Sequence, residues 1–569
     1  MLVLTLAGCI APQSSVAPRG EGQGPTTGAP AAPKVIVAAV SNEINGFAPI
    51  GLTTSTGNMV DYVEIPSNGL VTSDAAGHAI PQLASALPSL DNGSIRLLDD
   101  GRMTTVYTLR PNVTWQDGAP FTAADVAFGF KVHANPEIPF NDRTAVASME
   151  SVEAIDPATV LITWKSPSYL ADSLGLGILL PLPAHILEAD FSAGDMQKFQ
   201  NLPYWTTAYV HAGPFRLTHF EPGAEADFQA YDGYFLGRPK VDGIIIKQLL
   251  DRNAIVAALL KGDVQLTVEM FDGDTANNLA DRWAVDGGGK VYTAPGGASF
   301  IDFQFSPQYV SPQEILDPRI RRALFYSLDR RALTDLAWSG RVAPGAEALS
   351  ILGTGDRLYP YVRDMYASMA NDPTKAAEMF ADAGWTRGPD GILVDAQGRP
   401  LEIGLQGTRE AWASAAADMW KRAGVDMNLH IVTAAEARDR EFQQAFPSAD
   451  FGGSGAGDRI FQRIDPYGVP SKANGFAGQN RGHWSNPQMA PLVDRYRGAL
   501  AEADQGSAMH DIAQLVGDDL PLLNLSYIPV FGTVRTEVHA LDDMAGAQTG
   551  IGSPFGSYSR NAYLWELTG

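Results

Sequence analysis

The sequence predicts an α/β protein of more than one domain, on three observations. Short β-branched runs, Val35-Ile36-Val37, Val160-Leu161-Ile162 and Ile244-Ile245-Ile246, alternate with helical segments. Several of those helices carry their own start and stop residues. At 569 residues the chain exceeds what one hydrophobic core supports, so two or three domains are expected.

At the N-terminus, Leu6-Ala7-Gly8-Cys9 follows the short apolar run Met1 to Leu6. An apolar residue, two small residues and a cysteine make a lipobox, in which cleavage precedes a cysteine that is then lipidated. Cys9 is therefore the expected lipidation site, and residues 1–9 the signal; two acyl chains hold a protein stably at a membrane. No Lys or Arg precedes the apolar run, where a secretory signal has a positive region, as expected if the natural start lies further upstream. Residues 10–34 are dominated by Gly, Pro, Ala, Thr and Ser and read as a disordered tether. Cys9 is the only cysteine, so a disulfide in the mature body is not expected. Apolar stretches such as Leu174 to Pro183 are too short to cross a membrane.

Along the body, Val106 to Arg110 alternates like a half-buried strand and Asp117-Gly118 supplies a tight turn. Thr122 and Asp125 then form a capping box, with Phe121 and Val126 at the positions of a hydrophobic staple, and such a cap contributes about 1 kcal/mol. Asp317-Pro318 opens a helix with an apolar face of Ile320, Ala323, Leu324 and Leu328. Asp372-Pro373 opens another, which Gly384 stops.

These segments carry a resemblance. Leu109 to Val126 is similar to the signature of the family 5 solute-binding proteins of bacterial ABC importers, the peptide, nickel and opine receptors. In that family's order follow Gly213-Pro214-Phe215, Tyr234 to Asp242, Leu260 to Val264, Asp317 to Arg330 (its "RxALxYAIDR" helix, with Ser327 for alanine) and Asp372 to Trp385 (its "DPxKAxxLLxxAGW" segment). The resemblance implies a bilobal periplasmic-binding-protein fold of class II type with an additional small domain. Lobe I is expected at 35–77, 205–305 and 530–569, the small domain at 78–204 and lobe II at 306–529. It implies a substrate-binding lipoprotein of an ABC importer, monomeric, anchored in the periplasm or at the cell surface, that delivers an oligopeptide to membrane permease subunits. An oligosaccharide or opine-like solute is the alternative, and a nickel chelate is disfavoured because no His cluster is present.

The resemblance also points to site residues. Asp458, in the loop after Asp450-Phe451-Gly452-Gly453-Ser454, matches the aspartate that pairs with a peptide's α-amino group, with Arg459 beside it; such a pair is a charge-assisted hydrogen bond. Gly455, Ala456 and Gly457 stand where the family has aromatic residues. Asn480 to Pro487 resembles the family's "N-x-x-x-Y/W-x-N-P" loop, which offers Trp484 for stacking and Arg481 for a ligand carboxylate. Pro49 matches the proline that sets Thr53, Thr54 and Ser55 along the pocket wall, and Phe303 stands where members present an aromatic.

Composition limits the alternatives. Acidic residues (64) exceed basic ones (41) for a formal net charge of −23, which argues against nucleic acid, anionic membrane surfaces and polyanionic ligands as partners. A secreted α/β hydrolase is the rival from another class. It needs a nucleophile motif, and Gly452 to Ala456 misses G-x-S-x-G at its last position and reads as a flexible loop. P-loop, H-E-x-x-H and paired Cys/His spacings are missing, so no cofactor, metal or catalytic residue is expected. His211, His430, His483 and His510 are expected to be surface or hydrogen-bonded residues, and Asp99-Asp100, Asp518-Asp519 and Asp542-Asp543 to lie in turns.

Overall fold

Val35–Val40 (β1) is the first of the β-branched runs and lies inside a sheet, with Ile36, Ala38, Ala39 and Val40 buried. The computed structural model describes residues 32–41, 43–48, 62–74, 78–140, 143–267, 273–342, 346–354, 356–454, 461–540 and 558–568. The chain divides into Met1–Pro33 and a body, Lys34–Gly569. Cys9 lies outside the described residues, and no described helix is long and apolar enough to cross a membrane.

After β1 the chain builds a small antiparallel sheet from Ile95–Leu97 (β2), Met103–Thr108 (β3), Met149–Asp156 (β4) and Thr159–Trp164 (β5), in the order β2-β3-β5-β4. The strand expected at Val106 begins three residues earlier and ends at Thr108. Between its strands runs Ala123–Ala134 (α1), opened as the capping pattern requires: Thr122 N–H donates to the Asp125 carboxylate at 2.8 Å. Asp125 also accepts from Ala184 N–H at 3.0 Å, so one carboxylate serves two helix starts. Phe121 and Val126 are both buried in this core, with Trp115, Tyr107 and Ile162.

Phe215–Glu221 (β6), Glu225–Ala230 (β7), Gly243–Gln248 (β8) and Leu266–Thr267 (β9) gather beside β1, followed by helix Gly273–Asp286 (α2). Two long strands come next in the sheet, Gly289–Phe303 (β10) and, from the end of the chain, Leu522–Arg535. Between them lie Pro318–Tyr326 (α3), Arg330–Ala337 (α4), Pro373–Asp382 (α5), Glu402–Gly407 (β11), Glu410–Ala423 (α6), Asp426–Ile431 (β12), Ala449–Ser454 (β13), Met489–Gly498 (α7) and Glu502–Asp519 (α8). With Leu522–Arg535 as β14, the ten-stranded sheet runs β12-β11-β13-β10-β14-β9-β1-β8-β7-β6.

Register explains how this sheet serves two bodies. The first half of β10 pairs with the second half of β14, from Gly289↔Arg535 to Pro295↔Pro529. The second half of β10 pairs with β13, from Ala298↔Ser454 to Phe303↔Ala449. Between Pro295 and Ala298 the register shifts, and neither Pro295 nor the facing Pro529 has an N–H for the ladder. On one side of this break the core holds Ile36, Phe47, Phe228 and Ile244, and on the other Ile301, Phe325, Trp420 and Leu523.

The caps read from sequence are in place. Asp317 accepts from Arg319 N–H at 2.8 Å and Asp372 from Lys375 N–H at 3.0 Å, and Gly384 has φ +92° just past α5. The structure adds a reason for the arginines of α3. Buried Arg321 donates to the carbonyls of Ile315 (2.7 Å) and Asp519 (2.9 Å), and Arg322 to those of Gly517 (2.9 Å) and Asp518 (3.0 Å). They satisfy the orphan carbonyls that end α8. Asp518 and Asp519 thus belong to a helix end and not to a turn.

Of the histidines singled out, His211 is fully buried: Nδ1 accepts from Ala212 N–H at 2.9 Å and Nε2 meets the Pro181 carbonyl at 3.1 Å. His430, His483 and His510 contact Glu436 (3.2 Å), Gln444 (2.9 Å) and the Tyr361 carbonyl (3.1 Å). Burial lowers His211 from 6.5 to about 3, and does the same to His133, whose Nε2 accepts from Leu180 N–H at 3.4 Å. Both rings favour the neutral form, so their stabilisation is complete above the unfolded value of 6.5 and is lost as pH falls toward 3. Urea unfolding at pH 7 and pH 5 should show a loss of about 2 kcal/mol per histidine, and His211→Gln should remove its share of that slope. An unchanged slope in the variant would contradict the assignment.

Candidate functional site

The parallel strands of the two bodies run toward one another. β9 passes from Leu266↔Val534 to Thr267↔Thr533, heading along β14 toward Pro529, with β1 and β8 parallel to it or to each other in register. β13 passes from Phe303 toward Ala298 on β10, with β11 and β12 parallel to it. The carboxyl ends of both groups therefore face the break at Pro295 to Ala298, the position where open α/β sheets hold ligands.

On the second body, a polar row crosses three strands. Gln406, Asp450 and Asp302 are cross-strand partners on β11, β13 and β10, which sets two carboxylates directly opposite one another. Like charges so placed repel. Arg463 answers them: its Nη1 lies 3.0 Å from Asp302 Oδ2 with both side chains buried, and its guanidinium stacks 4.8 Å from the Phe300 ring centroid. Burial pushes Asp302 up to about 7, against the pull of Arg463, while Asp450 is raised by burial and drawn back by Arg463 and Arg481. Arg481 is itself lowered to about 10 by burial, with Arg463 adding repulsion and the two aspartates opposing it.

Three alternate residues pin the chain that leaves the 455–460 segment. Phe461 packs on Tyr496 (5.5 Å between centroids), Arg463 binds Asp302, and Asp465 accepts from Arg497 at 2.6 Å. The Asn480 loop is fixed as firmly. Asn480 is fully buried; its amide donates to the carbonyls of Asp465 (3.1 Å) and Trp484 (2.9 Å), while its oxygen accepts from Trp484 N–H (3.1 Å). A Cβ on Gly482 would lie 2.2 Å from the Phe303 carbonyl oxygen, so the loop's approach requires glycine.

Asp458, Arg459, Thr53, Thr54 and Ser55 lie outside the described residues. Of the others, Trp484 is core: it is 3% exposed and its indole N–H donates to Asp519 at 3.2 Å, where Asn486 also donates at 2.9 Å. The loop's tryptophan and asparagine tie it to the end of α8, which leaves no face for ligand stacking. Phe303 is fully buried and stacks over Trp420 at 6.4 Å, on the sheet face opposite Asp302, because side chains alternate along the strand. Arg481 is half-buried, and Asp302 and Asp450 oppose only in part the lowering that burial imposes on it. The part of Gly452 to Ala456 that is described is not a loop. Residues 449–454 form a strand, and a Cβ at Gly452 would meet the Phe300 ring at 2.9 Å.

Sequence reading missed Arg409. It follows the carboxyl end of β11 at the start of α6, is exposed, stacks over Trp412 at 4.5 Å, and has its Nε 3.9 Å from where a Gly453 Cβ would be. Its guanidinium makes no hydrogen bond to the described residues. Position after a strand was the signal available. Ser454, the serine of the near-miss hydrolase motif, is a strand residue opposite Ala298. No group of three or more His, Cys, Asp or Glu among the described residues is arranged to hold a metal.

If Arg463 offsets two opposed carboxylates, Arg463→Met should destabilise the protein by about 3 kcal/mol or more. Asp302→Asn combined with it should restore most of that loss in urea unfolding; additive losses would contradict the pairing.

The sequence matches the family model of the bacterial extracellular solute-binding proteins, family 5, over residues 79–473. A putative ABC transporter peptide-binding protein of Brucella ovis is 27% identical over 287 residues, 49% of this chain and 49% of its own; the match spans about half the length of that relative. The oligopeptide-binding protein AppA of Bacillus subtilis is 25% identical over 452 residues, 76% of this chain and 77% of AppA. The structure of AppA in complex with a nonapeptide is similar with a TM-score of 0.68 at 20% identity, covering 95% of this chain and 100% of AppA. The periplasmic EDTA-binding protein EppA gives 0.75 at 16% identity, covering 95% and 98%. The fold is thus the bilobal α/β fold of the periplasmic binding proteins.

Proposed function

Because the chain belongs to the bacterial extracellular solute-binding proteins of family 5, we propose that it captures an oligopeptide between its lobes and delivers it to the permease of an ABC importer. The observation that carries this is the convergence of both sets of strand ends on the break at Pro295 to Ala298. A ligand touching both ends favours the state in which they are near, and β10 and β14 are where the chain bends to reach it. The lobes are assigned as 35–77, 205–305 and 530–569 for the first and 306–529 for the second, with 78–204 the additional domain. Cys9 is assigned as the lipid anchor, and the monomer as the working unit.

Peptide is preferred over an oligosaccharide or opine-like solute on two grounds. The relatives named for peptides include AppA, matched over 76% of this chain. Two charged residues would suit a zwitterion: Asp458 for the α-amino group, and Arg409, free of hydrogen bonds to described residues, for a carboxylate. Arg459 is assigned as a neighbour of that pair, and Thr54 and Ser55 as the facing wall from the first lobe. EppA, of the same fold, is named for EDTA, so the fold alone does not choose the solute.

Titration calorimetry with a tryptic digest of casein should show micromolar binding, about −8 kcal/mol. Asp458→Asn should weaken it at least tenfold with little change in melting temperature, as loss of a charge-assisted pair requires. Binding of a neutral sugar with no response to peptides would move the assignment to the alternative solute.

A further inference from the structure

We propose that Tyr169 is a latch by which the additional domain holds the second lobe. This inference rests on the receptor reading for its effect on ligand but not for its effect on shape. Among the described residues, the chain passes between the two bodies in β10 and β14, adjacent strands of one ribbon with a shared break, so resistance to bending has to come from contacts elsewhere. One set flanks the ribbon: Arg341 pairs with Asp281 on α2, and Asn277 donates to the Ser339 carbonyl at 3.4 Å. The other is remote from it and involves the small sheet's core.

Tyr169 follows β5 in a segment whose Leu170 and Ala171 are buried in that core. Its own N–H donates to the Arg497 carbonyl at 2.8 Å, and its ring packs 5.0 Å from that of Tyr496 at the end of α7. It packs against the small-sheet core and against the core of α7 and α8 alike. From the other side Leu500, two residues past α7, reaches into the small-sheet core. The contact thus has a backbone hydrogen bond, an aromatic pair and a reciprocal apolar insertion, from residues more than three hundred positions apart.

What makes this a latch and not only an interface is where it leads. Tyr496 packs on Phe461, the first described residue after 455–460, and Arg497 binds Asp465, four residues further on. The same short segment holds Arg463, which is bound to Asp302 on β10. Tyr169 therefore bears on the two residues that clamp Phe461 and Asp465, on either side of Arg463. A ligand touching the strand ends of both lobes would hold this platform within Tyr169's grip, and the grip would slow the ligand's escape.

The test uses the ligand-free full chain in solution scattering and hydrogen exchange, with Tyr169→Ala and Leu500→Ala as independent variants. Each should enlarge the radius of gyration and speed exchange at residues 461–465 and 496–500, while the melting transition stays cooperative. In release of a casein digest, each should raise the dissociation rate about fivefold, the order of one lost aromatic or apolar contact, with the association rate little changed. If Tyr169→Ala fails to fold, Leu500→Ala carries the same expectations. Folded variants with unchanged radius and exchange would overturn the latch. A wild-type protein that takes up no peptide would fail the receptor reading while the scattering still decides the latch.

Discussion

Asp302 and Asp450 face one another across two hydrogen-bonded strands, and the second lobe is organised around answering that repulsion. Two carboxylates in a buried row are tolerable only when cations reach them without water, and a guanidinium suits the task because it is planar and bonds while stacking. Arg463 does both, on Asp302 and on Phe300. Arg481, next to Asn480 in its loop, adds a second positive charge whose field draws Asp450 down against its burial. The cations come from the segments on either side of Asp465 and Asn480, so satisfying the charges fixes the chain that follows the candidate ligand loop.

The rest of the architecture reads as consequences of a divided sheet. The long strands β10 and β14 give each lobe an edge on which to build, and the prolines at their crossing leave the ladder weakest where the sheet passes from one lobe to the other. The parallel strands on each side point their carboxyl ends at that crossing. Glycine at 452 and 482 lets Phe300 and the Phe303 carbonyl approach, which seats the Asn480 loop against β10. Ligand chemistry is then left to the loops beyond the strands, which explains how proteins of one fold are named for a nonapeptide complex and for EDTA.

Much of this was legible because it is local. Asp317, Asp372 and Asp125 cap the helices that their spacing marks, and Gly384 stops α5, since caps are decided within a turn of chain. Less legible was anything set by pairing distant segments. Asp302 and Arg463 are 161 positions apart, and nothing in either neighbourhood announces the other. Phe303 and Phe300 differ only in which face of β10 they occupy, a phase that depends on register with β13. Trp484 and Asn486 carry a recognisable motif whose reason, the carboxylate of Asp519, is a helix end elsewhere in the chain. Arg409 has no motif; its interest comes from a neighbouring strand end.

The central claim is that the strand ends hold a small solute, and native mass spectrometry of the gently purified chain tests it most directly. A bound mass that is released on denaturation and resolves into short peptides is the predicted result. A protein that arrives empty, and that no peptide, sugar or metal-chelate library stabilises against heat, would contradict the account, because a binder of the folded state must raise its stability by mass action.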